Sequence, residues 1–213
     1  MKRVLVFSRT TGFRHDSIPA GVRTIRELRS DVEATEDPDA FTQSNLARFA
    51  AVVFMNTNGR VLTDASRSAL EAYVRGGGGF LGVHSAAATE YGWPFYGELV
   101  GAWFDRHPEV QPATVTVVDP DHPATAHLPA SWPRVDEWYD FRSYPDARIL
   151  LRVDESTYAG GGMGVDHPVA WCHERLGGRV FYTALGHTIE AYAEHAFRDH
   201  LAHALRWVTG DAV

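Results

Sequence analysis

Three short runs of apolar residues constrain the fold of this chain. They lie at residues 4–7, 51–55 and 80–83, and each is too short to be a buried helix. Continuous apolar runs of this length are typical of strands that are buried on both faces of a sheet. Between the first two runs, apolar residues recur at helical spacing at Ile18, Val22, Ile25 and Leu28. Strands that alternate with helices imply right-handed crossovers, so we expect an α/β fold with a doubly wound, mostly parallel sheet.

The predicted helix ends carry capping signals. Asp16 or Ser17 is the expected N-cap of the first helix, and Thr63 is that of a second helix, which ends at Gly76. Further strands are predicted near residues 115–118, 149–153, 169–172 and 180–182, followed by a last helix over about 189–208. The sequence contains neither a repeat nor a low-complexity linker, and its length corresponds to about one domain. We therefore expect a single domain over residues 1–213.

Composition and charge exclude several classes of partner. The chain has 20 Lys and Arg against 27 Asp and Glu, a formal net charge of −7, which does not suit nucleic acid or an anionic membrane. No charge-free apolar stretch approaches the ~20 residues of a membrane span. A single cysteine, Cys172, cannot form an internal disulfide. We expect a cytoplasmic protein with no nucleic-acid or membrane partner, and a homodimer because that state is the commonest oligomer.

The order of the elements predicts where a ligand binds. In an open parallel sheet, ligands lie beyond the carboxyl ends of the strands. Three loops are expected to converge there, at residues 9–16, at residues 56–60 and from His84 onward. This argument selects His15 and His84 from eleven histidines.

His84 lies in a segment that resembles a nucleophile elbow. Gly82 and Ala86 provide the small flanking residues of the G-x-S-x-G pattern, but the central residue is histidine. A helix N-terminus disfavours imidazolium, and a neutral imidazole acts as a base, a hydrogen-bond donor or a metal ligand. A buried histidine with a purely structural role at a tight turn is an equally good interpretation. His187 occupies the same strand-to-helix position further along the chain.

The remaining histidines and the cysteine are expected to be structural or exposed. His122, His127 and His167 lie beside prolines in turn-like sequence. On the last predicted helix, His195 and His203 point away from the apolar stripe and His200 borders it. Cys172 lies in an apolar strand, where a buried and unreactive thiol is expected. The sequence lacks a phosphate-binding loop, a dinucleotide fingerprint and cysteine-based zinc spacing, which leaves a site of histidines and carboxylates as the candidate metal centre.

Aromatic residues accompany acids and histidines in three segments, at residues 91–94, 103–108 and 136–139. Aromatic rings stack on the apolar faces of sugars, and neighbouring polar groups bind the hydroxyls. Ordinary packing of aromatic side chains explains the same pattern. The segments are therefore candidate sugar contacts only in combination with other signals.

Several motifs in one order resemble the trehalose-utilisation (ThuA-like) family. They are TGFRHDS at 11–17, GGGFLGVHSA at 77–86, WPFY at 93–96, HP at 107–108, DEWY at 136–139, DHP at 166–168 and YTALGHT at 182–188. The resemblance covers nearly the whole chain and implies a flavodoxin-like, class I glutamine amidotransferase-like fold. Amidotransferases carry a catalytic cysteine at the elbow, where this chain has His84, so the resemblance excludes a cysteine-dependent glutaminase.

The resemblance also implies a substrate class, namely trehalose and related disaccharides that are processed through 3-keto sugars. We expect an enzyme that acts on such a sugar by acid–base chemistry of histidine and glutamate. His84 is the candidate base or ligand, Glu137 orients a histidine or acts as an acid–base, and His187, His107 and His15 complete the candidate catalytic set. Expected substrate contacts are Asp16, Asn56, Trp93, Trp103, Trp138 and Tyr139. A divalent metal held by His84, His107 and His187 is a variant of this hypothesis.

Two alternatives stay open from the sequence. The first is a non-catalytic sugar-binding or sensing module, in which the elbow lost its nucleophile and kept the pocket. The second is a metal-dependent hydrolase of glycosides or amides. Base, ligand and hydrogen-bond donor use the same imidazole, so the sequence does not choose among them.

Overall fold

The computed structural model describes residues 2–211 of the chain. Residues 1, 212 and 213, which the predicted single domain includes, lie outside the described residues. The α-helices are Ile18–Leu28 (α1), Gln43–Leu46 (α2), Asp64–Arg75 (α3), Pro94–Val100 (α4) and His195–Thr209 (α5). The strands are Arg3–Phe7 (β1), Val32–Thr35 (β2), Phe49–Met55 (β3), Gly79–Val83 (β4), Phe104–Arg106 (β5), Gln111–Val117 (β6), Ser131–Asp136 (β7), Asp140–Phe141 (β8), Arg148–Asp154 (β9), Pro168–His173 (β10) and Val180–Thr183 (β11).

The main sheet has nine strands in the order β2-β1-β3-β4-β11-β10-β9-β6-β7. Neighbours from β2 to β11 pair in parallel, whereas neighbours from β11 to β7 pair antiparallel. A separate two-stranded sheet joins β5 and β8. The predicted α/β, flavodoxin-like architecture is confirmed, and the antiparallel extension adds a second set of loops beside the parallel part.

Helices cover both faces of the parallel strands. Phe54 of β3 points to one face, where its ring lies 5.8 Å from that of Tyr96 in α4. The next residue, Met55, points to the other face and packs against Gly21 of α1, where an added Cβ would lie 2.5 Å from the sulfur. Alternate residues of a strand thus fill two cores, which is why the strand sequence is apolar throughout. Within residues 2–211, no helix combines the length and apolar character needed to cross a membrane.

The predicted helix ends are confirmed in part. The Thr63 hydroxyl accepts a hydrogen bond from the Ser66 amide and caps α3, which ends at Arg75 before Gly76. Ser17 occupies the N-cap position of α1 but makes no side-chain capping bond. Its hydroxyl accepts a hydrogen bond from Asn56 and donates one to the Gly186 carbonyl, so it joins three loops instead.

The last helix begins later than predicted. Residues Glu190–Ala193 form a 3-10 turn, and α5 begins at His195 rather than near residue 189. His200 does not border the buried stripe of α5 but is completely buried within it. The Ala124 carbonyl lies 3.2 Å from its Nδ1, which makes burial of this imidazole tolerable.

Sequence patterns missed the strands β2, β5, β7 and β8. β2 is a half-buried edge strand of four residues, and β5 and β8 have three and two residues. β7 alternates between exposed and buried positions and contains Pro133, which weakens a strand signal. These strands are set by pairing with distant segments, so local periodicity does not reveal them.

Candidate active site

Sharp turns at three strand ends bring polar residues to the carboxyl edge of the parallel sheet. Asn56 follows β3, His84 follows β4, and Gly186 lies shortly after β11. All three have positive φ angles, of 49°, 49° and 107°. The left-handed conformation is unfavourable for residues other than glycine and clusters at functional sites, at a cost of about 1–3 kcal/mol each. The backbone at this edge is therefore organised around a specific arrangement of side chains.

His84 is held rigidly at the elbow after β4. Tyr182 donates a hydrogen bond to the His84 carbonyl at 2.8 Å. The His84 Nδ1 lies 2.6 Å from the Ala184 carbonyl oxygen, which can only accept, so Nδ1 carries a proton and Nε2 presents its lone pair to the site. Instead of an α-helix, a five-residue 3-10 helix, His84–Ala88, follows the strand.

The small flanking residues of the elbow have a steric reason. A Cβ added at Gly82 would lie 3.3 Å from the Ala86 Cβ and 3.1 Å from the Tyr182 ring. Both distances are tighter than ordinary packing, so larger residues would displace the turn. The close packing of this turn thus explains the small residues at positions 82 and 86 that resemble a nucleophile elbow.

Glu137, His84 and His187 form a compact triangle. The Glu137 Oε2 lies 3.3 Å from the His84 Nε2 and 3.2 Å from the His187 Nδ1. The two imidazole nitrogens are 3.2 Å apart. Two histidines from the parallel sheet and an acid from the loop after β7 thus direct three polar atoms at one point.

Asp136, which the sequence analysis did not select, positions His187. Its two carboxylate oxygens accept hydrogen bonds from the backbone amides of Gly186 and His187, each at 3.0 Å. It is completely buried and also pairs with Arg134 at 2.8 Å. The pair of adjacent acids in the DEWY motif at residues 136–139 is the sequence signal that would have pointed to Asp136.

His15 reaches the same point from the loop after β1. Its Nδ1 lies 3.2 Å from the Ser85 hydroxyl, which fixes the ring. The His15 ring centre is 4.8 Å from that of His84 and 5.1 Å from that of His187. One donor atom from each of His15, His84, Glu137 and His187 lies within 4.8 Å of the others, and these four residues are called the central cluster below.

His107 and Tyr139 lie beside the central cluster. The His107 Nδ1 is 3.2 Å from the Glu137 Oε1 and 2.8 Å from the Pro108 carbonyl oxygen, so Nδ1 is the protonated nitrogen and Nε2 is free. The Tyr139 ring packs on His84 at 4.3 Å and faces His107 at 5.9 Å. The His107 side chain is 38% exposed whereas His84 is fully buried, so His107 is the histidine nearer to solvent.

The charges of the central cluster follow from burial and proximity. Burial, with the neighbouring His84 and His187, lowers the pKa of His15 to about 3, so this imidazole is neutral. Burial raises the pKa of Glu137, but the adjacent imidazoles of His187 and His84 outweigh burial and lower that pKa well below its usual value. Burial lowers the pKa of His187, but its hydrogen bond to Glu137 raises it overall. The cluster therefore combines an ionised Glu137 carboxylate with a neutral His15 and with a His187 ring that donates its Nδ1 hydrogen to that carboxylate.

Two of the expected substrate contacts, Trp138 and Asn56, are buried in the structure. Trp138 is completely buried, and its indole donates to the Gln111 carbonyl at 2.9 Å. Asn56 is completely buried as well and donates to the Ser17 hydroxyl and the Gly186 carbonyl. Both side chains support neighbouring loops and are buried in this structure, and their expected role as substrate contacts stays a prediction.

Trp93 and Trp103 are half-buried, and other protein groups engage them. Trp93 carries the Arg67 guanidinium over its ring at 5.7 Å. Trp103 donates its indole hydrogen to the Thr89 carbonyl at 3.1 Å and lines a groove with Tyr91 and Tyr144. Of the expected contacts, Tyr139 lies against His84, and Asp16 is exposed directly after His15.

An exposed ring at the central cluster was missed by the sequence analysis. The Phe13 side chain is 65% exposed, and its ring centre lies 4.8 Å from that of His15. Its amide donates to the Asn58 side chain at 3.1 Å, and the Asn58 carbonyl accepts from the Thr11 amide at 2.9 Å. An apolar ring that is fixed at the surface beside polar groups suits the apolar face of a sugar.

The other predicted structural groups lie outside the central cluster. Burial raises the pKa of the Cys172 thiol to about 12, in agreement with an unreactive cysteine. His122 is buried 3.6 Å from that sulfur, and His127 stacks on His203 at 4.2 Å. His167 is buried and contacts the Tyr139 carbonyl at 2.8 Å, so it has a structural role behind the site.

Comparison with known proteins gives one family and a set of similar folds. The sequence matches the family described as ThuA, trehalose utilisation, over residues 3–208. A ThuA-like protein from Bacteroides uniformis is 25% identical, with a TM-score of 0.80 over 97% of this chain and 91% of that protein. A ThuA-like protein from Parabacteroides merdae is 20% identical, with a TM-score of 0.83 over 100% and 91%.

A more distant structure has the amidotransferase-like fold. A Thermoplasma acidophilum protein described as a GMP synthase component is 15% identical, with a TM-score of 0.60 over 99% of this chain and 96% of that one. Among curated proteins, none matches the sequence.

Proposed function

The chain belongs to the ThuA family of trehalose utilisation, and from this premise we propose that it is an enzyme acting on a disaccharide or its 3-keto derivative. Family membership suggests a role related to trehalose utilisation. The central cluster adds a proposal for the chemistry.

The observation that carries the proposal is the convergence of Glu137, His84 and His187 within 3.2–3.3 Å of one another at the carboxyl edge of the sheet. These three side chains would hold a cation, and a bound cation would stabilise negative charge on a substrate oxygen. A 3-keto sugar develops that charge on its ketone oxygen when the neighbouring C–H loses its proton. The proposed centre is therefore matched to the reactive part of this substrate class.

The proposed base is His107. Its Nδ1 hydrogen is engaged by Glu137 and the Pro108 carbonyl, so the free Nε2 accepts the proton from the carbon next to the ketone. The electron pair of that C–H bond moves to the ketone oxygen. Return of the proton gives an isomer or epimer, and departure of a glycosidic oxygen from the next carbon gives an elimination product.

His84 has a supporting role in this proposal. It is completely buried beneath Glu137 and His187, so it holds the centre rather than touching a C–H bond. Phe13 is the proposed ring beside the sugar, whereas the buried Tyr139 ring packs on His84 and supports it.

Proton NMR of the protein with trehalose and with 3-keto-trehalose in D₂O tests the proposal. We expect loss of the proton next to the ketone, or new sugar resonances, and a His84→Ala variant that is slower by about 10²–10⁴-fold. Broadened sugar signals without chemical change would instead indicate a binding module, and a fully active His84→Ala variant would contradict the assignment.

A further inference from the structure

The geometry of the central cluster identifies the cation that it attracts. We propose that His84, Glu137 and His187 form a binding site for a divalent first-row transition-metal ion such as Zn²⁺, Co²⁺ or Mn²⁺. The role of the ion in turnover rests on the proposed function, whereas its binding can be tested without any sugar.

The distances match a coordination sphere. Metal–nitrogen and metal–oxygen bonds of about 2.0–2.2 Å in tetrahedral geometry place neighbouring ligand atoms about 3.3–3.6 Å apart. The three edges of the observed triangle are 3.2, 3.2 and 3.3 Å. The three donor atoms therefore already have the spacing of one face of a coordination polyhedron.

The hydrogen-bond donors and acceptors of His84, Glu137 and His187 support a cation between them. The His84 Nδ1 donates to the Ala184 carbonyl, so Nε2 is the nitrogen whose lone pair is available to a metal ion. The Glu137 Oε2 is also an acceptor, and the His187 Nδ1 has at most one hydrogen to share between them. Two acceptors at this separation are satisfied together when a single positive ion lies between all three atoms.

Each proposed ligand has the supporting contact that metal ligands usually have. The Ala184 carbonyl orients His84, and His107 contacts the second oxygen of Glu137 at 3.2 Å. Asp136 holds the backbone of His187 through two amides. His15 offers a further nitrogen within 4.8 Å of the three ligand atoms. The predicted ligand His107 instead contacts the other oxygen of Glu137, so Glu137 takes its place in the proposed set.

Two histidines and one carboxylate leave coordination positions for water or substrate oxygen. Two side chains at this site reach the surface, namely the exposed Phe13 beside His15 and the partly exposed His187. A ketone with a neighbouring hydroxyl is the substrate group that such an open position binds. The ion would supply Lewis-acid polarisation of the ketone oxygen.

Metal titration of untagged, chelator-stripped protein tests the inference. Cobalt binding is followed by visible absorbance and zinc binding by calorimetry, in both cases without sugar. We expect one ion per wild-type chain and a loss of more than about 100-fold in affinity for Glu137→Gln, since even supporting residues cost 10–100-fold. Glu155→Gln, the same acid-to-amide change in another acid–histidine cluster, is the matched control and should bind like wild type.

His187→Ala provides a second variant, because its side chain is partly exposed and its removal leaves no sealed core cavity. It should weaken binding to a similar extent while the thermal unfolding midpoint stays near that of wild type. Failure of wild type to bind a stoichiometric ion, or unchanged binding by both variants, would overturn the inference.

The NMR assay separates this inference from the proposed function. Stoichiometric binding without sugar conversion would support the metal site and contradict the enzymatic role. Sugar conversion by protein that binds no metal would support the enzymatic role and contradict the metal site.

Discussion

Two groups of acids and histidines in this protein have similar composition and different character. One is the central cluster, and the other consists of Asp140, Glu155 and His167, called the loop cluster here. In both, donor atoms lie within 4.8 Å of one another. Composition and spacing alone would make each a candidate metal site.

In the loop cluster, backbone amides donate hydrogen bonds to one oxygen of each acid. The Glu155 Oε1 accepts hydrogen bonds from the amides of Met163 and Gly164 at 2.7 and 2.9 Å and lies 2.8 Å from the His167 Nδ1. Asp140 accepts from the Gly162 amide and pairs with Arg106. These contacts hold the segment before β10 in place, and they leave little capacity for a ligand.

At the central cluster, two adjacent acids have separate roles: Asp136 binds backbone amides, and Glu137 belongs to the cluster. Asp136 accepts the backbone amides of Gly186, His187 and Glu137. The Glu137 carboxylate is thereby available to contact the imidazoles of His84, His107 and His187. The comparison shows that acids and histidines in close proximity do not by themselves define a site, since backbone amides contact the acid oxygens of the loop cluster whereas imidazoles contact the Glu137 carboxylate.

The largest expected effect is on turnover. Glu137→Gln removes the charge of the central cluster and should lower the rate of sugar conversion by about 10²–10⁴-fold, as expected for loss of an acid–base or electrostatic group. Initial rates measured by NMR test this. The conversion rate of Glu155→Gln should stay within a few-fold of the wild-type rate. Equal losses of rate in the Glu137 and Glu155 variants would contradict the distinction between the two clusters.

The next effect is on stability. Asp136→Asn leaves Arg134 without its buried carboxylate partner and removes an acceptor from the three amides, so it should lower the free energy of unfolding by about 3 kcal/mol. Urea unfolding followed by circular dichroism measures the change. A variant as stable as wild type would show that Asp136 does not anchor the loop of His187.

Glu155→Gln should have a smaller structural cost. It weakens acceptance from two amides and from His167, with an expected loss of about 1–2 kcal/mol of unfolding free energy. The same urea experiment applies. Loss of metal binding or turnover without loss of stability would mean that the loop cluster is functional after all.

A buried histidine without an acid partner predicts a pH effect. Burial lowers the pKa of His200 to about 3, whereas an unfolded histidine titrates near its ordinary value of 6.5. The unfolded chain therefore binds more protons than the folded chain below pH 6.5, and stability falls as the pH drops toward 4, by at most about 1.4 kcal/mol per pH unit from this group. His200→Gln should flatten that slope in urea unfolding series, and an unchanged slope would contradict the assignment.

The smallest expected effect concerns substrate affinity. Phe13→Ala removes the exposed ring beside His15 and should raise KM by about 2–10-fold with kcat nearly unchanged, since an aromatic contact contributes about 0.5–1.5 kcal/mol. Trp103→Ala, at a ring in the neighbouring groove, is the comparison variant. A larger KM increase for Trp103 than for Phe13 would restore the substrate role predicted from sequence.

Much of the fold was predictable because its central strands are buried on both faces. The runs that became β1, β3 and β4 contain only apolar residues, and their positions followed directly. The short strands β5 and β8 and the Pro-containing β7 depend on partners far along the chain, so they were missed. In the candidate site, the histidines of the strand ends were selected, whereas Asp136 and Phe13 were not.

The amino-acid sequence by itself determined the positions of the buried strands β1, β3, β4 and β11, and hence that His15, His84 and His187 each lie after a strand. Its motifs also determined the family. Only the tertiary structure decided that Glu137 meets His84 and His187, that Asp136 takes the backbone amides and that Trp138 is buried. The physical reason is that the contacts of the central cluster join segments 50 to 103 residues apart, where local periodicity carries no information about which lone pairs remain free.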